Sequence, residues 1–230
     1  MAFVVFDLDH TLYDGDSGTR LVHWLLKRDW WRTALAYLVA PIAGPLIAWM
    51  PTRRIGISVF LWIATLGLRS EGALNRLIDR YVVENRKDLR DRLLPIAMQT
   101  LHRHVAAGDQ VVIATGAPTE LARKILLEIT GDVLPVIGTE EAPRLGGLVA
   151  RQHCHSHNKV RMIRAAGFAG IIDIAYSDSR ADLPLLQAAT NPVVVNPNPS
   201  SVDDFVKALP AGTPIVWWGA KGRGGSGSPQ

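Results

Sequence analysis

The sequence predicts an α/β protein: a doubly wound, mostly parallel sheet with a helical cap inserted after the first strand. Three observations carry this expectation. Short apolar runs rich in β-branched residues recur near residues 3–6, 110–114, 171–176 and 192–195, with the length and composition of buried strands. Helical spacing fills intervals between the later runs, and alternating strands and helices build parallel sheets. Residues 15–94 separate the first strand from the second and read as helix. The expected core is therefore 1–14 with 95–216, and the cap is 15–94. The Gly/Ser-rich end, 217–230, is expected to be a disordered tail.

The first strand, Phe3 to Phe6, delivers Asp7 and Asp9 to its C-terminal end, where open α/β sheets place their ligand crevice. Positions i and i+2 of an extended chain share a face, so the two carboxylates converge. Like charges that close call for a bound cation or a retained proton. Both outcomes suit phosphate chemistry. A hard cation takes oxygen ligands, and a protonated carboxyl donates to a leaving group. Taken alone, Asp-x-Asp is equally the mark of an acidic turn.

Beyond Asp14-Gly15-Asp16, Ser17 is the expected N-cap of a helix running to about Asp29. Two uncharged stretches, 33–52 and 55–68, then flank Arg53-Arg54. The first has the length of a transmembrane helix, but Pro41, Pro45 and Pro51 interrupt it, and the second is short for a span. Three readings stay open: a buried helical pair in a soluble cap, a hairpin dipping into one leaflet, or a true span. Trp24, Trp30, Trp31, Tyr37, Trp49 and Trp62 suit a leaflet interface. The formal net charge is only +4, yet residues 20–70 carry seven Lys or Arg against Asp29 alone. An excess so concentrated suits an anionic membrane surface; nothing points to nucleic acid.

Residues 71–93 return to amphipathic spacing through Leu74, Leu77, Ile78, Tyr81, Val82 and Leu89. Pro95 opens the next helix and Gly108 closes it. The strand at 110–114 meets Thr115-Gly116 and a helix over 118–130. A strand at 133–137 and a hairpin over 144–150, turning at Gly146-Gly147, follow. A helix from Asn158, a strand at 171–176, another helix and a last strand from Pro192 complete the order. Cys154 is the one cysteine, which excludes an internal disulfide and makes a reducing compartment the default. Asp7 falls where the apolar stretch of a signal peptide would lie.

Four places carry candidate chemistry. Asp7 and Asp9 are the first. The Thr115 hydroxyl and Gly116 N–H, ahead of a helix N-terminus, offer donors to a phosphate. Lys159, at a helix start, offers a neutralising ammonium. Asp178 and Asp182 follow a strand and reach the same sheet edge as Asp7 and Asp9. Asp178 suits direct ligation of Mg²⁺, and Asp182 a supporting position behind it.

In this order, Asp7-Leu-Asp9-His10-Thr11-Leu12, Thr115-Gly116, Lys159 and Asp178 to Asp182 resemble the four signatures of the haloacid dehalogenase superfamily of phosphatases. The cap position resembles that of its phosphoserine-phosphatase-like branch. The resemblance implies a two-step phosphoryl transfer. Asp7 would attack phosphorus to give an aspartyl-phosphate, and Asp9 would protonate the leaving alcohol and then activate water. Mg²⁺ would be held by Asp7, the Asp9 carbonyl and Asp178, and the phosphate by Thr115, Gly116 and Lys159. Within the cap, the stretch from Ser58 to Glu71 and the Pro-rich run before it are similar to the phosphatidylglycerophosphatase C group, as is Cys154-His-Ser-His157-Asn-Lys159. That similarity implies a lipid head-group phosphate as substrate and work at the cytoplasmic face of a membrane. A soluble cytoplasmic small-molecule phosphatase is the alternative, and an inactive fold kept as a membrane interaction module is a third. Asp16, Arg53 and Arg54 are the cap candidates for substrate contact. Two departures stand out. His10 occupies a position where most of the superfamily has Gly, and Asp16 one where phosphoserine phosphatases carry a Glu that reads the substrate amine. His153, His155 and His157 alternate on one face of an extended stretch, but no fourth ligand completes a zinc centre.

Overall fold

The computed structural model describes residues 1–48, 52–131 and 133–219. Its strands are β1 (Phe3–Phe6), β2 (Gln110–Pro118), β3 (Val136–Arg144), β4 (Gly147–Gln152), β5 (Ile172–Ser177), β6 (Ala189–Val195) and β7 (Ile215–Val216). They form one sheet in the order β4-β3-β2-β1-β5-β6-β7, with β1 at the centre. All neighbouring pairs are parallel except β3 with β4. Burial on both faces explains why β1 lacks a polar alternation. Val4 and Phe6 join the cluster that continues into the cap, while Phe3 and Val5 join the cluster under the later helices.

Among the described residues, five helices lie between β1 and the rest of the core: α1 (Ser17–Lys27), α2 (Trp30–Ala48), α3 (Arg53–Thr65), α4 (Glu71–Glu84) and α5 (Arg86–Asp91). The core adds α6 (Pro95–Ala106), α7 (Thr119–Ile125), α8 (His157–Ala165), α9 (Leu183–Gln187) and α10 (Val202–Ala208). Leu74 and Ile78 of α4 and Leu121 and Ile125 of α7 belong to one buried cluster, so cap and core share a core. A Lys124–Asp79 ion pair at 3.0 Å borders that seam.

Several elements differ from expectation for local reasons. Asp16, rather than Ser17, caps α1: its Oδ1 accepts the Thr19 N–H at 2.6 Å. Pro41 and Pro45 do not break α2. They stand one turn apart on an exposed stripe, and the carbonyls that lose their partners, those of Tyr37 and Pro41, belong to exposed residues. The β3–β4 turn is Leu145-Gly146, both at positive φ, and Gly147 already belongs to β4. Gly147 has a different task. A Cβ there would lie 2.8 Å from the Trp62 carbonyl oxygen of α3.

The hairpin is thereby fastened to the cap. Trp62 Nε1 donates to the Arg144 and Leu145 carbonyls at 3.1 and 3.2 Å, and the Leu148 N–H donates to Thr65 Oγ1 at 2.8 Å. The Gly67 N–H reaches the Gly146 carbonyl at 2.7 Å. Trp62 is thus a structural tryptophan, and so is Trp24, which packs edge-on against Tyr81. Trp30 and Tyr37 are exposed, and Trp49 lies outside the described residues. Arg32 joins the start of α2 to the end of α3 through the Ala64 and Leu66 carbonyls at 2.5 and 2.8 Å. Arg20 is paired with Asp88. Part of the positive excess of 20–70 is therefore used inside the cap. Among the described residues, no helix is long and apolar enough to cross a membrane. Within the stretch expected to be a disordered tail, Trp218 is buried and its N–H donates to Asn196 Oδ1 at 2.6 Å. Residues 220–230 lie outside the described residues.

Candidate active site

Parallel pairing brings the ends of β1 and β5 side by side. The Asp7 N–H extends the ladder to the Tyr176 carbonyl at 2.9 Å, so Asp7 and Asp178 leave the sheet at one edge. Lys159, on the first turn of α8, is only 2% exposed. Its Nζ donates to Asp7 Oδ1 at 2.9 Å and to Asp182 Oδ2 at 2.5 Å. The Ser177 hydroxyl adds a bond to the same Asp182 oxygen at 2.8 Å. An ammonium buried this far is tolerated only with charged partners. Burial alone would lower its pKa, but Asp182 and Asp7 more than offset that and hold it protonated.

The carboxylates behave differently from one another. Burial pushes Asp7 well above the usual carboxylate range; Lys159 opposes this, while Asp182 and Asp178 reinforce it. Asp9 accepts the Ser17 N–H at 2.9 Å, yet burial and the charge of Asp16 push it up to about 7. A carboxyl that keeps its proton near neutrality is a competent general acid.

Asp7, Asp9, Asp16, Lys159, Asp178 and Asp182 all line one cavity of about 790 Å³. Gly116 lines it too, but Thr115 does not: it is fully buried and its Oγ1 accepts the Ala117 N–H at 3.1 Å. Arg53 and Arg54 open α3, and their side chains lie outside the described ones. The three histidines separate. His153 and His155 line the cavity with rings 5.6 Å apart, while His157 is exposed at the start of α8. Lys159 is held by Asp7 and Asp182. Among the described residues, no group of three His, Cys, Asp or Glu side chains is arranged to hold a metal. Oxygen ligands are nonetheless present, since Asp7 and Asp178 line the same cavity and lie close enough for the charge of Asp178 to act on Asp7.

Several residues of the cavity had no sequence signal. Thr139 and Glu141 come from β3, between the strand expected at 133–137 and the hairpin expected over 144–150. A stripe at helical spacing, Thr33, Ala36, Tyr37, Ala40 and Ile47, faces the cavity from α2, and Phe60 faces it from α3. Part of the apolar run therefore lines the cavity, while Leu35, Val39, Val59 and Ile63 pack with the buried core cluster.

The comparisons with known proteins agree with this architecture. Residues 4–187 match the family model described as haloacid dehalogenase-like hydrolase. A Mycobacterium leprae (strain TN) protein named as a hydrolase is 27% identical over 205 residues, covering 86% of this chain and 67% of its own length. The phosphoserine phosphatase SerB1 of Mycobacterium tuberculosis (strain ATCC 25618 / H37Rv) is 26% identical over 205 residues, covering 86% of this chain and 65% of its own. This chain therefore spans about two thirds of the length of these relatives. A Bordetella pertussis Tohama I protein of unknown function superposes with a TM-score of 0.68 at 22% identity, over 94% of this chain and 98% of that one. A fold shared at such identity, a family match over most of the chain and the Asp7–Lys159–Asp182 cluster at the sheet edge lead to one assignment: the chain is an enzyme of the haloacid dehalogenase-like hydrolase family.

Proposed function

We propose that this enzyme is a phosphomonoesterase working through an aspartyl-phosphate, and that its substrate is an amphiphilic phosphate ester such as a phosphorylated lipid head group. One observation carries the substrate class: the cavity that begins at Asp7, Asp9 and Lys159 continues along the apolar stripe of α2 and α3. Its volume falls in the range that accepts a drug-sized ligand, roughly 300–1,000 Å³, far more than phosphoserine fills. Tyr37 on that stripe is 76% exposed, and its neighbours Leu38 and Ile42 are exposed as well. An exposed apolar surface thus adjoins the cavity, which Lys27 also lines. That combination suits an anionic membrane surface on the cytoplasmic side.

In this reading Asp7 attacks phosphorus, with Lys159 holding both it and the transferring oxygens. Asp9 gives its proton to the departing alcohol and takes one from the water that cleaves the intermediate. The Gly116 N–H and the α7 end of β2 complete the phosphate cradle, while Ser177 and Asp182 fix the Lys159 ammonium. Mg²⁺ fits the oxygen set of Asp7, Asp178 and the Asp9 carbonyl, and when bound it would supply charge neutralisation at the phosphate. Chelation should abolish turnover, and Mg²⁺ should restore it where Ca²⁺ does not.

A second reading has its own support. The Mycobacterium tuberculosis relative is a phosphoserine phosphatase by name, and a soluble phosphomonoesterase would share every core residue. The deciding measurement compares phosphatidylglycerophosphate in mixed micelles with phosphoserine in solution. Higher kcat/KM on the lipid supports the first reading; turnover of phosphoserine alone would replace it with the second.

A further inference from the structure

Inside the cavity, away from the catalytic carboxylates, β3 contributes an acid that the reaction does not use. Glu141 lies on the same strand face as Thr139, opposite Ala150 in the β3–β4 pairing, and all three line the cavity. The residue is partly exposed, but its Oε1 is shielded from solvent and has no hydrogen-bond partner among the described residues. The charged groups acting on it are Glu71 of α4 and Glu140, both repulsive, and its own backbone N–H is the donor that faces it. A carboxyl met by its own backbone N–H, with Oε1 shielded and left without a donor among the described residues, is under-satisfied, so a partner that arrives with the ligand would complete it.

We infer that Glu141 is a specificity residue for the leaving group: its carboxyl receives a hydrogen-bond donor, hydroxyl or ammonium, carried by the alcohol half of the phosphate ester. The inference rests on the phosphomonoesterase reading and adds a polar contact for the alcohol half of the ester. Burial, aided by Glu71 and Glu140, pushes the carboxyl up to about 8. A hydroxyl would therefore meet it largely neutral at pH 7, whereas an ammonium would ionise it on binding. The two donors make separate demands on the side chain. Gln keeps the acceptor oxygen and removes the charge; Ala removes both.

The experiment uses the full chain and matched n-alkyl, ω-hydroxyalkyl and ω-aminoalkyl phosphates at three chain lengths. Wild type, Glu141→Gln and Glu141→Ala are compared by kcat/KM, KM and melting temperature. At one length at least, wild type should favour a donor-bearing ester over its plain counterpart by roughly tenfold, mainly through KM. Glu141→Ala should bring that ratio close to one with no fall in melting temperature. Glu141→Gln should keep a hydroxyl preference and lose an ammonium preference, which separates the two donors. Equal use of all three esters by wild type, or a preference that survives in both variants, overturns the inference while leaving the phosphatase intact. A preference lost only together with melting temperature in both variants makes Glu141 structural and also overturns it. Failure of wild type to hydrolyse any of the esters removes the phosphomonoesterase reading itself.

Discussion

Replacing Asp7 with Asn keeps the size of the side chain and removes its attacking charge, so turnover should fall to background in a folded protein. Asp9→Asn cannot shuttle a proton and should lower kcat by ~10²–10⁴. Both are read by steady-state kinetics beside a melting curve. Lys159 couples function to stability. Lys159→Met would strand Asp7 and Asp182 without their shared cation, at about 3–5 kcal/mol, seen as a lower denaturation midpoint. Asp109 offers a pH test remote from the chemistry. Its carboxylate accepts the Ala2 N–H at 2.8 Å and a His104 contact at 2.9 Å, and these hold it below the ordinary value of about 4. Its contribution is therefore complete above that value and is lost as pH falls through the lower, folded one. The melting-temperature gap between wild type and Asp109→Ala should be largest near neutrality and close below about pH 4; a gap constant with pH would contradict this. His10, at φ +59, explains why Gly is favoured there: the left-handed region is strained for a side chain. The gathering of Asp7, Asp9, Asp178, Asp182 and Lys159 at one sheet edge was legible in the sequence because each follows a strand or opens a helix. Glu141 was not, because only the folding of the hairpin turns it toward the cavity.

Elements were legible where the signal was local. Pro95 and Gly108 bracket α6 as their backbone preferences require, with Gly108 at φ +74. Continuation of α2 through Pro41 and Pro45 was hidden, since it depends on which face of the helix meets solvent. The function of Gly147 was hidden as well. Glycine there reads as a turn residue, but its lack of a side chain lets β4 press against α3. Gly147→Ala should force these elements apart at about 1–3 kcal/mol, with the loss visible in thermal unfolding. Trp62→Phe keeps the ring area but drops the Nε1 donor to the hairpin carbonyls, at about 1 kcal/mol. If both variants melt like wild type, the fastening of hairpin to cap is weaker than its geometry indicates.

At the scale of the whole molecule, the proposed membrane contact would draw on the exposed Tyr37, Leu38 and Ile42 of α2 together with the cations of the cap. Protein mixed with anionic vesicles at low salt should cosediment, and added salt should weaken the electrostatic part. Changing Arg53 and Arg54 together to Ala should reduce binding by about 2 kcal/mol, at about 1 kcal/mol per cation near the surface. Sedimentation unchanged by the double substitution would remove these arginines from the membrane contact. The doubly wound sheet was foreseeable from strand–helix alternation, but the cavity was not, because no sequence period distinguishes an apolar stripe that packs from one that lines a void. The hairpin's hold on α3 has one more consequence. Where a lid is free to swing, its closure sweeps solvent from the reacting centre whatever lies beneath. A roof tied down at Trp62, Thr65 and Gly67 leaves that task to the guest, which must act as its own stopper. Chain length then becomes a kinetic variable in its own right: a stubby ester shares the chamber with water, whereas one long enough to reach the mouth seals it from within.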